Sequence, residues 1–253
     1  MRIPRIHVDC ELRPGREVRL PDQAGEHVAR VLRLERGAPL ILFNGDGYEF
    51  DAALAALAKH AVTAEVGQKR AVERESRLPL TLAQAVARGE RMDWVLQKAT
   101  ELGVARIVPI VTDRTEVKLD AERAERRMAH WRGVLAGACE QCGRTLLPDL
   151  EPPQALDRWL ATLGDARATR LALLPEGDVT LRQFPQMDNG AILAVGPEGG
   201  FTPNDVALLT QAEFHGLRLG PRILRTETAG IAALAALQAI FGDFRGETFL
   251  TSP

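Results

Sequence analysis

The stretch LRLGPRILRTETAGIAALAALQAIFG, Leu217 to Gly242, decides how the rest of the chain is read. It parses as a strand end (Leu217–Leu219), a tight loop (Gly220–Thr228) and a helix running to about Phe241. From Ile231 to Ile240 that helix has no polar face, and Gln238 is the lone interruption. A helix that is apolar all round has to be buried all round. The run is far short of the roughly 20 apolar residues that a membrane span needs. Burial inside its own domain, or between that domain and a second subunit, is therefore expected. The loop feeding the helix has the opposite character, with Arg222, Arg225, Thr226, Glu227 and Thr228 next to Gly220 and Pro221. Polar residues at the mouth of a buried helix mark a candidate site.

Upstream of this stretch, strand and helix patterns alternate. Leu80–Val86, Arg106–Val111, Ala168–Leu174 and Ala191–Val195 read as strands; Arg91–Leu102, Asp120–Gln141 and Pro153–Leu163 read as helices. Thr202-Pro203-Asn204-Asp205 opens another helix, with Thr as N-cap and Pro at the first helical position. Such alternation predicts a parallel sheet covered by helices, and ligands of such sheets bind beyond the carboxyl ends of the strands. Three strand ends carry loop chemistry: Leu174–Gly177, Gly196–Gly200 and Gly220–Thr228. Any one of them could be a plain tight turn; three together point to a site. Gly-Lys-Ser/Thr and Gly-x-Gly-x-x-Gly are both missing from the sequence, which disfavours ordinary nucleotide-phosphate cradles. A neutral or cationic ligand held by backbone groups suits these loops better.

The N-terminal part has a different texture. Val18–Leu20, Pro39–Phe43, Tyr48–Leu54 and Val62–Val66 are short strand candidates, and Asn44-Gly45-Asp46-Gly47 is a hairpin signal. One helix is expected from about Gln23 to Glu35, capped by Asp22 and stopped by Gly37. On its wheel Ala24, Val28, Val31 and Leu32 share one face, while Arg30 and Arg33 lie on the other. The charged run KRAVERESR, Lys69–Arg77, has no apolar periodicity and reads as a connection. The expected division is residues 1–70, a linker at 71–77, and 78–253.

Composition closes off several classes. With 45% hydrophobic and 26% charged residues, the chain of 253 has ample material for a core. The N-terminus MRIPRIHVDC has no apolar signal core, and three cysteines do not make a disulfide framework. A reducing cytoplasmic setting fits. A net charge of −2 means that any basic RNA-binding surface must be local. Cys139-x-x-Cys142 sits late in a helix without a second ligand pair, and the five histidines show no metal-ligand spacing. No metal is expected. Serine occurs only at Ser76 and Ser252, neither in a nucleophile elbow, so hydrolase chemistry has no footing.

RMDWVLQKATELGV (Arg91–Val104), ACEQCGR (Ala138–Arg144), GPEGGF (Gly196–Phe201) and LGPRILRTETA (Leu219–Ala229) together resemble the RsmE family of the SPOUT superfamily. Members of that family methylate N3 of one uridine in 16S rRNA. The resemblance implies an N-terminal PUA-like β-barrel that binds RNA and a C-terminal α/β SPOUT domain with a parallel sheet and a trefoil knot. It also implies a cytoplasmic homodimer without membrane attachment, using S-adenosylmethionine on free 16S rRNA or the assembled small subunit. The alternatives are a non-catalytic RNA-binding assembly protein on the same scaffold and a small-molecule transferase using the same donor pocket. Carried over by motif, the cofactor residues are Leu173, Pro175, Gly196, Pro197, Glu198, Gly199, Leu219, Gly220, Ile223, Leu224 and Thr226. Arg225 is the candidate stabiliser of negative charge on the uracil, with a salt bridge to Glu227 as its structural alternative. Glu198 is the candidate for orienting the site or receiving a proton. RNA contacts are expected from Arg30, Arg33, Arg88, Arg114 and Arg144.

Overall fold

A computed structural model of the chain describes residues 3–58, 61–116, 121–164 and 167–246, the side chain of Ala121 excepted. The chain divides into two compact units, Met1–Glu75 with Ala136–Leu147, and Ser76–Leu135 with Pro148–Pro253. The boundary near residue 75 lies in the charged connection. The return of Ala136–Leu147 to the first unit has no counterpart in the expected division.

In the first unit, β1 (Arg5–His7), β2 (Glu17–Arg19), β3 (Pro39–Phe43), β4 (Tyr48–Ala58) and β5 (Ala61–Ala71) form one sheet in the order β1-β3-β4-β5-β2. Only the β1–β3 pairing is parallel. The β3–β4 turn runs through Gly45 at φ +87° and Gly47 at φ +89°, which explains the glycines of the hairpin signal. Alternate residues Phe50, Ala52 and Leu54 of β4 join Ile6, Leu40, Leu42, Ala64 and Val66 in one apolar cluster. Arg5 and Glu49 are buried beside it as an ion pair, and Arg74 Nη1 reaches Glu49 Oε1 at 2.8 Å. The connection is thus partly structural. Lys69, Arg70 and Ala71 belong to β5, and Glu75 pairs with Arg144.

The helix of this unit departs from expectation. α1 spans Asp22–Glu26 and continues as a π-helical turn over His27–Val31, with Leu32 N donating to His27 O at 2.9 Å. Asp22 is the first helical residue rather than the cap. An i→i+5 turn admits an extra residue and shifts the phase of everything after it. Val28 is accordingly buried, but Val31 and Leu32 are 66% and 38% exposed. The apolar face drawn on a 3.6-residue wheel does not exist beyond Val28.

The second unit contains β6 (Leu80–Ala85), α2 (Glu90–Glu101), β7 (Arg106–Val111), β8 (Asp149–Leu150), β9 (Gln154–Ala155), β10 (Thr169–Leu173), β11 (Ala191–Val195), α5 (Pro203–Gln211), β12 (His215–Leu217) and α6 (Thr226–Phe241). α3 (Ala121–Cys142) lies between β7 and β8, and the short α4 (Leu156–Leu160) follows β9. Sheet order is β12-β10-β11-β6-β7-β8, with β9 also on β7, and every pairing is parallel. The expected helix Pro153–Leu163 starts late because Gln154 and Ala155 pair with β7 first. The last strand likewise sits at His215–Leu217 rather than Leu217–Leu219. A parallel strand between two helical layers is buried on both faces, and β6 illustrates it. Leu80 and Leu82 pack with Met92, Val95, Leu96, Leu234 and Leu237, whereas Ala83 and Ala85 pack with Leu156, Trp159, Leu209 and Phe214.

α6 is central but not sealed. Gly230, Ala233, Leu234 and Leu237 are buried, while Ile231, Ala232, Ala235 and Ile240 are half-buried and Ala239 is exposed. The single chain therefore leaves one apolar stripe only partly covered. Gln238, the lone polar residue, is fully buried. Its Nε2 donates to Leu102 O at 2.8 Å and its Oε1 accepts from Ser76 Oγ at 3.0 Å. Among the described residues no helix is long and apolar enough to cross a membrane.

Candidate functional site

At the carboxyl ends of β10, β11 and β12 the three loops singled out in the sequence enclose a cleft of about 640 Å³. Its walls include Leu173 at the end of β10 and Pro175 after it, Gly196, Pro197, Glu198 and Gly199 after β11, and Leu219, Gly220, Ile223, Leu224, Arg225 and Thr226 before and at the start of α6. Every residue expected at a cofactor pocket is thus a neighbour of the others in space. The size is ordinary for a small-molecule site.

Local chemistry holds each loop. Gly200 N donates to Pro197 O at 2.9 Å, closing a turn that needs Gly200 at φ +69°. A Cβ on Gly196 would stand 3.1 Å from Phe201 N and 3.3 Å from Gly200 C, so at that position the backbone admits no side chain without moving. The following helix starts as read from sequence: Thr202 Oγ1 accepts from Asp205 N at 3.1 Å, and Asp205 Oδ2 accepts from Thr202 N at 2.8 Å. Thr226, on the first turn of α6, donates from Oγ1 to Gly196 O at 2.6 Å and ties the third loop to the second.

Two charged groups differ in how they are held. Glu198 accepts from Arg91 Nη1 at 2.8 Å and from Arg88 N at 3.4 Å. Partial burial pushes its carboxyl upward, but hydrogen bonds from its own backbone N–H, from Arg91 and from Arg88 outweigh that and leave it below the usual carboxylate range. An ionised carboxylate bound to an arginine is a weak proton acceptor at neutral pH. The geometry suits orientation and not the receipt of a proton. Arg225 is exposed, stands at the N-cap of α6, and makes no ion pair with Glu227 among the described residues. Its structural alternative is therefore not realised.

The expected RNA contacts scatter. Arg30 is exposed with Glu26 Oε1 at 3.7 Å, and Arg33 is exposed at φ +50°, just past the π-turn. Arg114 Nη1 donates to Gly199 O at 2.6 Å, bracing the second loop, and Arg88 pairs with Glu116. Arg144 is a correction. It is 6% exposed and bound to Glu75, with Nε to Oε2 at 2.8 Å, so its guanidinium has no surface to present to RNA. Arg91 also lines the cleft and was not among the sequence candidates, although it opens the RMDWVLQKATELGV motif.

The profile of an RNA methyltransferase domain matches residues 74–238, and that of an RNA methyltransferase PUA domain matches residues 20–67. The ribosomal RNA small subunit methyltransferase E of Buchnera aphidicola subsp. Schizaphis graminum is 31% identical over 242 residues, covering 96% of this chain and 98% of that protein. A ribosomal RNA small subunit methyltransferase E from Neisseria gonorrhoeae, solved bound to S-adenosyl methionine, is 37% identical with a TM-score of 0.90, covering 96% of this chain and 100% of that one. A Legionella pneumophila methyltransferase in complex with SAM is 44% identical at a TM-score of 0.90, with the same coverage of 96% and 100%. The chain belongs to the RNA methyltransferase family, alongside the ribosomal RNA small subunit methyltransferases E.

Proposed function

We propose that the cleft beyond β10, β11 and β12 binds S-adenosylmethionine, and that the chain uses it to methylate N3 of one uridine of 16S rRNA in the small ribosomal subunit. The observation that carries this reading is the convergence of the three loops, with all their candidate residues, on one cleft. The lining fits the cofactor. Leu173, Leu219, Ile223 and Leu224 offer apolar packing for an adenine, while Gly196 and Gly199 leave backbone groups within reach. Of these, Ile223 is 86% exposed, an apolar side chain at the rim that a bound ligand or RNA would cover.

When bound, S-adenosylmethionine supplies an electrophilic methyl group on its sulfonium. The chain's own residues then have two tasks. The uracil gives up its N3 proton to solvent water, since Glu198 is held ionised by Arg91, and negative charge spreads over the ring oxygens before the ring nitrogen takes the methyl group from the sulfonium. Arg225, at the mouth of the cleft and without an ion pair among the described residues, is placed to stabilise that charge. Glu198, clamped by Arg91, fixes the second loop and with it the approach of the target base.

The finer architecture belongs to the same proposal. The first unit is read as a PUA-like barrel whose exposed Arg30 and Arg33 touch RNA phosphates. The second is read as a SPOUT knot, because β12 lies beyond β10 at the sheet edge while the α6 that follows packs back among residues of β6 and β11. The half-covered stripe Ile231, Ala232 and Ala235 is read as the contact of a cytoplasmic homodimer. Purified protein, labelled S-adenosylmethionine and small subunits lacking the modification provide the test. Label at N3 of a single uridine is expected. Tight rRNA binding without donor binding or label would replace this reading with the assembly-protein alternative.

A further inference from the structure

Gln84 is a fully buried glutamine at the carboxyl end of β6, in register with Val195, the residue just before the second loop. Its neighbours Leu80, Leu82, Ala83 and Ala85 are all apolar and buried, so packing alone gives no reason for an amide here. The hydrogen-bond geometry does. Thr226 Oγ1 gives its single proton to Gly196 O at 2.6 Å, which leaves the hydroxyl able only to accept from any further partner. Gln84 Nε2 donates to that oxygen at 2.9 Å and to Ala85 O at 3.2 Å. Both partners are acceptors, so the NH₂ end must face them. Gln84 Oε1 is thereby turned the other way, buried, with no hydrogen-bond partner among the described residues. It stands 3.2 Å from where a Cβ on Gly230 would be, so the helix can approach this closely only because residue 230 is glycine.

A buried amide that leaves its own oxygen unsatisfied is a net burden on the core. We infer that Gln84 is a positioning residue for the donor cleft: through Thr226 its NH₂ group holds the start of α6 against the Gly196 carbonyl and sets the spacing of two of the three loops. The inference rests on the proposed reading of the cleft as the S-adenosylmethionine site. Gln84 itself does not line the cleft, whereas its partner Thr226 does. Its effect is on geometry, so it acts on donor affinity more than on the chemical step once the donor is bound.

The test uses Gln84→Met, close in length but without the donor, together with Thr226→Val and the double variant. Calorimetry with S-adenosylmethionine and steady-state methylation of small subunits are read alongside thermal melts. In Gln84→Met the melt should stay near wild type or rise, the donor Kd and KM should increase about 10-fold, and kcat at saturating donor should change less than about 3-fold. The double variant should bind no worse than the weaker single one, because both break the same bridge. Wild-type donor affinity in folded Gln84→Met overturns the inference, as does full additivity of the two losses. If Gln84→Met does not fold, Thr226→Ser against Thr226→Val decides: the hydroxyl variant should keep affinity and the other lose it, and equal affinity overturns the bridge. Failure of the wild type to bind S-adenosylmethionine would instead sink the reading of the cleft.

Discussion

The three glycines of Gly196-Pro197-Glu198-Gly199-Gly200 should respond to alanine in a definite order, because each is glycine for a different reason. At Gly196 an added Cβ would meet backbone, 3.1 Å from Phe201 N and 3.3 Å from Gly200 C, along with the Phe201 ring at 3.2 Å. Neither backbone atom can swing away, so the turn must shift by a few tenths of an ångström. Overpacking of this kind costs about 1–3 kcal/mol. The empty loop can relax by opening, and the bound loop cannot. Most of the cost should therefore appear as lost donor affinity, about 5- to 150-fold in Kd. At Gly199 the Cβ would meet only the Arg114 side chain, with Cδ at 3.2 Å, and a flexible side chain can step aside. Gly199→Ala should keep donor affinity within about 3-fold while weakening the Arg114 brace. At Gly200 nothing lies within 4 Å, but φ is +69°. Alanine there should cost about 1–2 kcal/mol in bound and free protein alike, which lowers the melt and spares the Kd. Calorimetry and thermal melts on the three variants separate these outcomes. Gly196→Ala binding like wild type, or Gly199→Ala binding worst, would refute the reasoning.

Arg225→Ala should lower turnover by about 100-fold with little change in donor Kd, since a charge stabiliser acts mainly in the transition state; stopped single-turnover methylation measures it, and wild-type turnover would remove Arg225 from the chemistry. Ala235→Glu places a charge on the half-covered stripe of α6, and light scattering should report a shift from dimer to monomer at micromolar concentration. A monomeric wild type would refute the assembly. Burial holds the Glu140 carboxyl above its ordinary range, although His7 N donates to Oε1 at 2.9 Å. A folded value above the unfolded one contributes stability below the unfolded pKa and loses it as pH rises through the folded value. Glu140→Gln keeps the acceptor without the charge, so it should raise the melt at neutral pH and lose that advantage as pH falls toward the carboxylate range.

Elements with strong periodicity or defined end chemistry were legible in the sequence. β11 spans Ala191–Val195 as read, and α2 moves by one residue from Arg91–Leu102 to Glu90–Glu101. The Thr202 cap needs only four neighbouring residues to be recognised. The misses occur where a distant partner or a changed helical period intervenes. The π-turn at His27–Val31 put Val31 and Leu32 into solvent, and pairing with β7 took Gln154 and Ala155 out of a helix. Ala136–Leu147 joined the first unit although it continues a helix of the second. Removing residues 1–75 would therefore strip that segment of the surface it packs on, so a truncation at Ser76 is not a clean separation of functions.

By itself the sequence determined the alternation that makes a parallel sheet, the three loops at its carboxyl ends, and the motifs that carry family membership. Those are local properties: spacing, caps, glycine and proline positions, and the strings of residues themselves. It also determined that α6 would be central, because its only polar side chain in ten residues cannot outweigh the apolar ones. Tertiary structure alone decided the roles of single polar side chains. Gln238 looked like a break in an apolar face and is buried between Ser76 and Leu102. Arg144 looked like an RNA contact and is paired with Glu75. Gln84 looked like nothing and holds Thr226. The physical reason is common to all three. A buried polar group is tolerated only where a partner meets it, and these partners lie 69 to 162 residues away in the chain, where no local pattern can register them.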